Sequence, residues 1–202
     1  MIKNLIFDCG GVVFDVDYER SYLEFKKLSR NPYKFEQLSV FGFKHIASDY
    51  EMGKQTSDEF LMDIRKKLEL DASDQEIIFA WNAMLIGFVE DSVEVVTKLK
   101  RRFNVALFSN TNEIHYISFS PICKELLSLF DETYFSHHIG LKKPILDSFQ
   151  YVLNHSGYIP EETIFIDDSA ENIEAATKLG IHTIHYTKEW NFSKLIDYLM
   201  NL

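Results

Sequence analysis

Short, almost uninterrupted apolar runs recur along the chain, with longer stretches of helical periodicity between them. The runs that we predict to be strands are Ile2–Phe7, Val105–Phe108, Thr133–Phe135, Thr163–Ile166 and His182–His185. Continuous apolar runs of this length are typical of strands that are buried on both faces of a parallel sheet. Between them, Ile145–His155 has apolar residues at helical spacing, and Glu171–Leu179 is followed by the helix-stop residue Gly180. This alternation predicts an α/β fold with an open parallel sheet flanked by helices.

The interval between the first two predicted strands is about ninety residues long, far more than one crossover helix requires. The segments in it that fit or resemble a capping box, and therefore predict helix starts, are Thr56–Glu59, Ser73–Glu76 and Asp91–Glu94. We therefore predict a small, inserted all-helical domain over residues 15–85. Residues 1–14 and 86–202 would form the α/β domain, and 91–102 would be the helix that returns the chain to the sheet.

Polar groups stand at the predicted carboxyl ends of the strands and in the loop between the third and fourth strands. They are Asp8-Cys9-Gly10-Gly11, Ser109-Asn110-Thr111-Asn112, Lys142-Lys143-Pro144 and Asp167-Asp168-Ser169. These ends meet at one edge of a parallel sheet, where ligands bind. The carboxylates of Asp8, Asp167 and Asp168 would repel one another unless a cation shared the site. Carboxylate, carbonyl and water oxygens suit Mg²⁺, which also leaves coordination positions for a substrate phosphate.

Taken in order, these motifs resemble those of the haloacid dehalogenase-like (HAD) hydrolase superfamily over nearly the whole chain. The motifs are Ile6-Phe7-Asp8, Phe108-Ser109-Asn110-Thr111-Asn112, Lys143-Pro144 and Phe165-Ile166-Asp167-Asp168-Ser169. The predicted helical insert resembles the cap domain of many members. Within the superfamily, the segment Phe7–Val13 with Asp15 and Asp17, together with Ser109–Asn112, is similar to the bacterial glucose-1-phosphate phosphatase group. The resemblance implies a Rossmann-like sheet domain, a cap and the activity of a Mg²⁺-dependent phosphatase.

The resemblance also implies catalytic and substrate-binding residues. Asp8 would attack phosphorus as the nucleophile and form an aspartyl-phosphate. Ser109 would donate a hydrogen bond to a phosphoryl oxygen, and Lys143 would neutralise charge there while it pairs with Asp8. Asn110, with Ser109 and Lys143, would bind the substrate.

The implied magnesium ligands are Asp8, the backbone carbonyl of Gly10 and Asp168, with Asp167 acting behind them or through a water molecule. Gly10 is also a departure, because most phosphatases of the family carry a second aspartate at this position as general acid and base. Such an acid contributes roughly 10²–10⁴-fold to the rate. The candidates to replace it are Asp15, Asp17 and His115.

Gly10 leaves two other functions open. A 2-haloacid dehalogenase also lacks the second aspartate and displaces halide without a metal, but it does not need the adjacent pair Asp167 and Asp168. That pair favours the phosphatase over the dehalogenase, and a phosphomutase would depend on the missing acid. A non-catalytic binding protein that retains the fold is the third class. The predicted substrate is a small phosphorylated metabolite, with a sugar phosphate as the best guess.

Some residues are interpreted more conservatively. We interpret His137-His138 as an ordinary loop pair, because no cysteine or third histidine is near in the sequence. Aromatic residues of the insert are expected in its core, namely Phe35, Phe41, Phe43, Tyr50 and Trp81. The segment Tyr50–Gly53, with Glu51, resembles a cap loop and is a candidate specificity element.

Composition limits the partners. The 31 acidic and 21 basic side chains of the 202 residues give a net charge of −10, which argues against binding to nucleic acid. The two cysteines cannot form a disulfide framework, and no apolar run is long enough for a signal peptide or a membrane span. We therefore expect a cytoplasmic protein with no membrane partner, and the oligomeric state stays open.

Overall fold

The computed structural model describes residues 1–33 and 46–202, and its strands form two sheets. The strands are β1 (Asn4–Phe7), β2 (Phe14–Val16), β3 (Leu85–Phe88), β4 (Asn104–Ser109), β5 (Glu132–Phe135), β6 (Thr163–Asp167) and β7 (His182–His185). Five of them form a parallel sheet in the order β5-β4-β1-β6-β7. The predicted α/β fold is confirmed, and each predicted strand is present within two residues of its expected bounds.

Strand β1 lies at the centre of the parallel sheet. Leu5 is in register with Val105 of β4 on one side and with Ile164 of β6 on the other. The chain winds outward from β1 to β4 and β5, and then returns past β1 to β6 and β7. The winding direction reverses beside β1, so the residue after this strand, Asp8, lies at the topological switch point.

Helices cover both faces of the sheet and also form a separate layer. They are α1 (Tyr18–Leu28), α2 (Ser48–Glu51), α3 (Ser57–Lys67), α4 (Asp74–Asn82), α5 (Ser92–Leu99), α6 (Glu113–Phe119), α7 (Lys124–Leu129), α8 (Ser136–Ile139), α9 (Leu146–Ser156), α10 (Ala170–Lys178) and α11 (Phe192–Met200). Alternate side chains of β1 enter two cores, with Phe7 facing α5 and α11 and Ile6 facing α9 and α10. This two-sided burial is the reason that the strands have continuous apolar sequences.

Helices α1 to α4 form the separate layer, which we call the helical layer. They pack around a third core that includes Phe25, Phe60 and Trp81. The two predicted capping boxes, at the starts of α3 and α4, are both confirmed. Tyr50 and Trp81 are buried in this third core as expected, whereas Phe35, Phe41 and Phe43 lie outside the described residues.

Strands β2 and β3 pair antiparallel at the two ends of the segment that contains these helices. The sequence did not indicate this ribbon, because the strands have only three and four residues and include Asp15 and Gly87. The ribbon lies at the predicted boundaries of the insert, and the division into 1–14 with 86–202 and 15–85 stays a prediction.

The prediction that the Asp91 side chain caps the start of a helix is wrong. Helix α5 begins at Ser92, but Asp91 has φ +67° and its side chain accepts no capping hydrogen bond. A side-chain cap needs the extended backbone conformation that aims the oxygen at the amides of the first turn, and the left-handed conformation does not provide it. The helix also ends at Leu99, before the expected residue 102.

Among the described residues, no helix combines the length and the apolar character that crossing a membrane requires. The expected cytoplasmic location stays a prediction.

Candidate active site

A buried lysine joins the ends of three strands. The Lys143 side chain is 1% exposed, and its ammonium Nζ lies 2.8 Å from Oδ1 of Asp8 after β1 and 2.8 Å from Oδ2 of Asp167 at the end of β6. It donates a third hydrogen bond, also of 2.8 Å, to the carbonyl of Phe108 in β4. An ammonium has three donors. All three are directed at the strand ends, so Lys143 is held in one position.

Asp8 is buried beside this ammonium. Its Oδ1 accepts hydrogen bonds from Lys143 and from the Cys9 amide, at 2.6 Å. Burial raises the pKa of Asp8 to about 7, while Lys143 lowers it and Asp167 raises it. Burial also acts to lower the pKa of Lys143, but the two carboxylates outweigh it and the pKa lies above its usual value. The lysine therefore stays charged and favours ionised Asp8.

Asp167 is fully buried and its carboxylate is occupied by protein donors. Oδ1 accepts from the Ser169 amide at 2.8 Å, and the Asn172 side chain donates to both oxygens at 3.0 Å. Together with the bond from Lys143, these contacts fix the orientation of Asp167. A carboxylate with this many donors is suited to positioning Lys143 and the start of α10.

Asp168 lies on the solvent side of Asp167 and approaches the turn after β1. Gly11 in this turn has φ +79°, and a Cβ atom on it would collide with the Asp168 carboxylate. Glycine at position 11 therefore serves both the backbone conformation and the close approach of Asp168. Carboxylate oxygens of Asp8, Asp167 and Asp168 lie within 4.8 Å of one another. These all-oxygen donors fit a hard divalent cation such as Mg²⁺.

Ser109 is the last residue of β4, and Asn110 is the first residue of the loop after it. Ser109 is 4% exposed and lines a cavity with Cys9 and Gly10. Both polar atoms of the Asn110 amide bond to the backbone of Lys143, accepting from its N–H at 2.9 Å and donating to its carbonyl at 2.8 Å. Asn110 therefore holds the loop that carries Lys143 and also lines the cleft, and its expected role in substrate binding stays a prediction.

The helical layer contributes to the walls of the cleft above Asp8. The cleft is lined by Asp8, Lys143 and Asp168 from the sheet, and by Tyr18 and Glu51 from α1 and α2. Glu51 bonds to Lys142 at 2.8 Å, with both side chains largely buried. The predicted cap loop thus reaches the loop next to Lys143.

The structure separates the three candidates for the missing acid from the cleft lining. Asp17 caps α1 by accepting from the Glu19 amide at 3.0 Å, and Asp15 is exposed on β2. His115 is buried and stacks on Trp81, where burial lowers its pKa to about 4. A neutral imidazole with this pKa is a poor proton donor at neutral pH. None of the three lines the cleft that contains Asp8, although His115 lines the adjoining cavity together with Gly10 and Ser109.

Sequence reasoning missed several residues of this site. Asn172 belongs to no motif and Gly11 was named without a role, because both roles depend on the approach of Asp167 and Asp168 in the folded chain. Tyr18 directly follows the cap of α1 and reads as an ordinary helical residue in the sequence. Burial, followed by the charges of Glu51 and Asp8, raises the pKa of Tyr18 and keeps its hydroxyl protonated in the cleft.

The fold and the site define a hydrolase with an open parallel sheet and an acidic cluster at its switch point. The chain belongs to the haloacid dehalogenase-like hydrolase family, whose model matches residues 2–180. The predicted superfamily and the predicted hydrolase class are thereby confirmed, and the narrower resemblance to the glucose-1-phosphate phosphatase group stays a prediction.

Relatives and solved structures agree with this assignment. The chain is 30% identical over 197 residues to D-ribitol-5-phosphate phosphatase of Bacteroides thetaiotaomicron, covering 91% of each chain. A HAD family enzyme from Bacteroides thetaiotaomicron, solved in complex with magnesium and inorganic phosphate, is 33% identical, with a TM-score of 0.82 and coverage of 96% and 99%. A structure of a HAD-like hydrolase from Porphyromonas gingivalis is 28% identical, with a TM-score of 0.83 and coverage of 100% and 99%.

Proposed function

We propose that the protein is a Mg²⁺-dependent phosphomonoesterase that acts on a small phosphorylated sugar or polyol. The observation that carries the proposal is one buried cluster in which Lys143 contacts both Asp8 and Asp167. A carboxylate oxygen of Asp168 lies within 4.8 Å of carboxylate oxygens of Asp8 and Asp167. The similarity to a D-ribitol-5-phosphate phosphatase and to an enzyme in complex with magnesium and phosphate supports the class of substrate and the metal.

In this proposal Asp8 is the nucleophile. Lys143 and the Cys9 amide hold Oδ1, which orients the carboxylate for attack on phosphorus from the cleft. The new bond joins phosphorus to Asp8, the bond from phosphorus to the ester oxygen breaks, and the departing oxygen takes a proton from water and leaves as the alcohol. Water then attacks the aspartyl-phosphate, which releases inorganic phosphate and restores the Asp8 carboxylate.

Ser109 and Lys143 act on the charge of the transferring group. Ser109 donates a hydrogen bond to a phosphoryl oxygen, and Lys143 places its positive charge beside the attacking carboxylate. Asp8, the Gly10 carbonyl and Asp168 would hold Mg²⁺, with Asp167 behind them, and the bound ion would supply positive charge to the phosphoryl oxygens. Positioning and electrostatic stabilisation of this kind provide most of the catalysis of phosphoryl transfer.

Residues 15–85 would act as the cap of this enzyme. The contact between Glu51 and Lys142, and the position of Tyr18 in the cleft wall, support this role. A cap over the switch point excludes water and selects the part of the substrate that lies beyond the phosphate. The identity of the sugar or polyol would then depend on residues such as Tyr18 and Glu51.

The test is Asp8→Asn, with hydrolysis of an aryl phosphate and of a panel of sugar and polyol phosphates as the measurement. We expect a loss of at least 10³-fold in kcat for every substrate, because the amide is a poor nucleophile. Circular dichroism checks that the fold is kept. Asp15→Asn is the matched control and should keep its activity, because Asp15 is exposed on β2.

Full activity of Asp8→Asn would contradict the proposal. Release of halide from a 2-haloacid in the presence of a chelator, without hydrolysis of any phosphate ester, would instead favour the dehalogenase.

A further inference from the structure

A second cluster of potential metal ligands lies outside the cleft at Asp8. Nε2 of His137, in α8, is 3.3 Å from Oε2 of Glu113, the first residue of α6, and Nε2 of His138 is 3.9 Å from the same oxygen. One ligand atom from each of the three residues lies within 4.8 Å of the others. The histidine pair that sequence reasoning set aside thus gains a third ligand, Glu113, which is 24 residues away in the chain.

These spacings suit a tetrahedral site. Zinc binds histidine nitrogen and carboxylate oxygen at about 2.0–2.2 Å, so two ligands of a tetrahedral ion lie about 3.3–3.5 Å apart. The separation of 3.3 Å between His137 and Glu113 already has this value, and the separation of 3.9 Å between His138 and Glu113 exceeds it by about half an ångström.

His137 is buried without a hydrogen bond. Its side chain is 4% exposed, and within the described part of the chain neither ring nitrogen has a hydrogen-bond partner, although Nε2 faces Glu113. A buried polar atom that lacks a partner costs free energy. A bound cation would remove this cost at Nε2.

The cluster faces a pocket with room for a further ligand. Gln55, Thr56 and Ser57, at the start of α3, line this pocket together with Glu113 and both histidines. Gly53, with φ +64°, brings the preceding loop so close to α8 that a Cβ atom would collide with the carbonyl of His137. The cluster therefore lies at the contact between the helical layer and the sheet domain.

We propose that Glu113, His137 and His138 form a transition-metal site, best suited to Zn²⁺, at the contact between the helical layer and the sheet domain. Two imidazoles and one carboxylate suit a borderline-soft ion such as Zn²⁺ or Co²⁺, whereas Mg²⁺ prefers oxygen ligands. The fourth position opens to the pocket and accepts water. This site is separate from the carboxylates at Asp8, since the linings of the two clefts have no residue in common.

The test uses the full chain, stripped of metals and then titrated with Co²⁺ in a large excess of Mg²⁺, which occupies the carboxylate site. We expect one equivalent of Co²⁺ to give the intense visible absorption of a four-coordinate ion, and Zn²⁺ to abolish it by displacement. Glu113→Gln and His138→Gln should each weaken Co²⁺ binding tenfold or more. Both side chains are 47% exposed, so the fold should tolerate these changes, and circular dichroism checks it.

The matched control is His182→Gln, which removes an exposed imidazole elsewhere and should bind Co²⁺ like the unchanged protein. Unchanged affinity in Glu113→Gln and His138→Gln, the weak spectrum of six-coordinate Co²⁺, or no binding would each overturn the proposal. The last result would mean that the rings only pack against Tyr116 and Phe135.

Discussion

At the scale of single residues, the site depends on side chains that hold other side chains. Lys143 has all three of its donors committed, and Asp167 accepts bonds from Ser169, Asn172 and Lys143. Groups fixed in this way lose little conformational freedom during reaction, because their orientation is set by folding. Asn110 belongs to the same set, since its amide bonds at both ends to the backbone of Lys143.

Asn110→Ala provides the test of this positioning role. We expect kcat for an aryl phosphate to fall about tenfold, with KM changed less than about twofold, because the substitution frees the Lys143 loop without removing a substrate contact. Steady-state kinetics measures both constants, and Asn154→Ala on the surface of α9 is the control. A rise in KM with unchanged kcat would instead support the substrate-binding role that the sequence suggested.

At the scale of elements, a closed set of hydrogen bonds joins α4 to α6. Trp81 Nε1 donates to Oδ1 of Asn112, Asn112 Nδ2 donates to Nδ1 of His115, and His115 Nε2 donates to the carbonyl of Trp81. Asn112 also caps α6 by accepting from the amide of His115. The network ties the helical layer to the sheet domain, and it uses the neutral form of His115.

The network predicts a loss of stability in acid. The pKa of His115 is about 4 in the folded chain against 6.5 as the usual value, so the unfolded chain binds an extra proton between these limits. The free energy of unfolding is therefore unaffected by His115 above pH 6.5 and falls as the pH drops from 6.5 towards 4. Between pH 7 and 4.5, His115 should account for about 2 kcal/mol of this fall.

Urea unfolding of the unchanged protein and of His115→Gln at pH 7 and 4.5 measures this contribution. The variant is expected to be less stable at pH 7 but to lose about 2 kcal/mol less on acidification. His182→Gln is the control and should follow the unchanged protein. Equal losses in all three proteins would contradict the assignment of a neutral, buried His115.

At the scale of the whole molecule, part of the net charge of −10 lies at the proposed catalytic site, where it is unfavourable. Three ionised carboxylates against the single ammonium of Lys143 leave about two negative charges at the switch point, which a divalent cation would balance. Binding of Mg²⁺ is therefore coupled to the stability of the entire sheet domain, since the unfolded chain lacks the site.

Thermal unfolding with saturating Mg²⁺ and with a chelator tests this coupling. At a hundred times the dissociation constant, an ion stabilises the folded state by about 2.7 kcal/mol, which corresponds to a Tm increase of about 5–10 °C. Asp168→Asn should reduce this increase strongly without lowering the Tm of the metal-free protein, because it also relieves repulsion. An equal increase in the variant would show that Mg²⁺ binds elsewhere.

The sequence by itself determined the sheet, the bounds of α9 and α10, the starts of α3 and α4, and the residues at the strand ends. Continuous apolar runs, capping boxes and polar strand ends are local signals, and a parallel sheet brings its carboxyl ends to one edge whatever the loops do. Asp8, Ser109, Lys143, Asp167 and Asp168 could be found for this reason. The ribbon of β2 and β3 escaped prediction because its strands are too short to show a periodicity.

Only the tertiary structure decided which partner each polar group meets. The neutral state of His115, the use of Asn110 to hold Lys143, and the meeting of Glu113 with His137 and His138 all depend on contacts between distant segments. Burial and approach distance, which set pKa values and ligand geometry, are properties of the packed chain. The sequence shows which functional groups the chain carries, and packing determines their partners, their pKa values and their geometry as ligands.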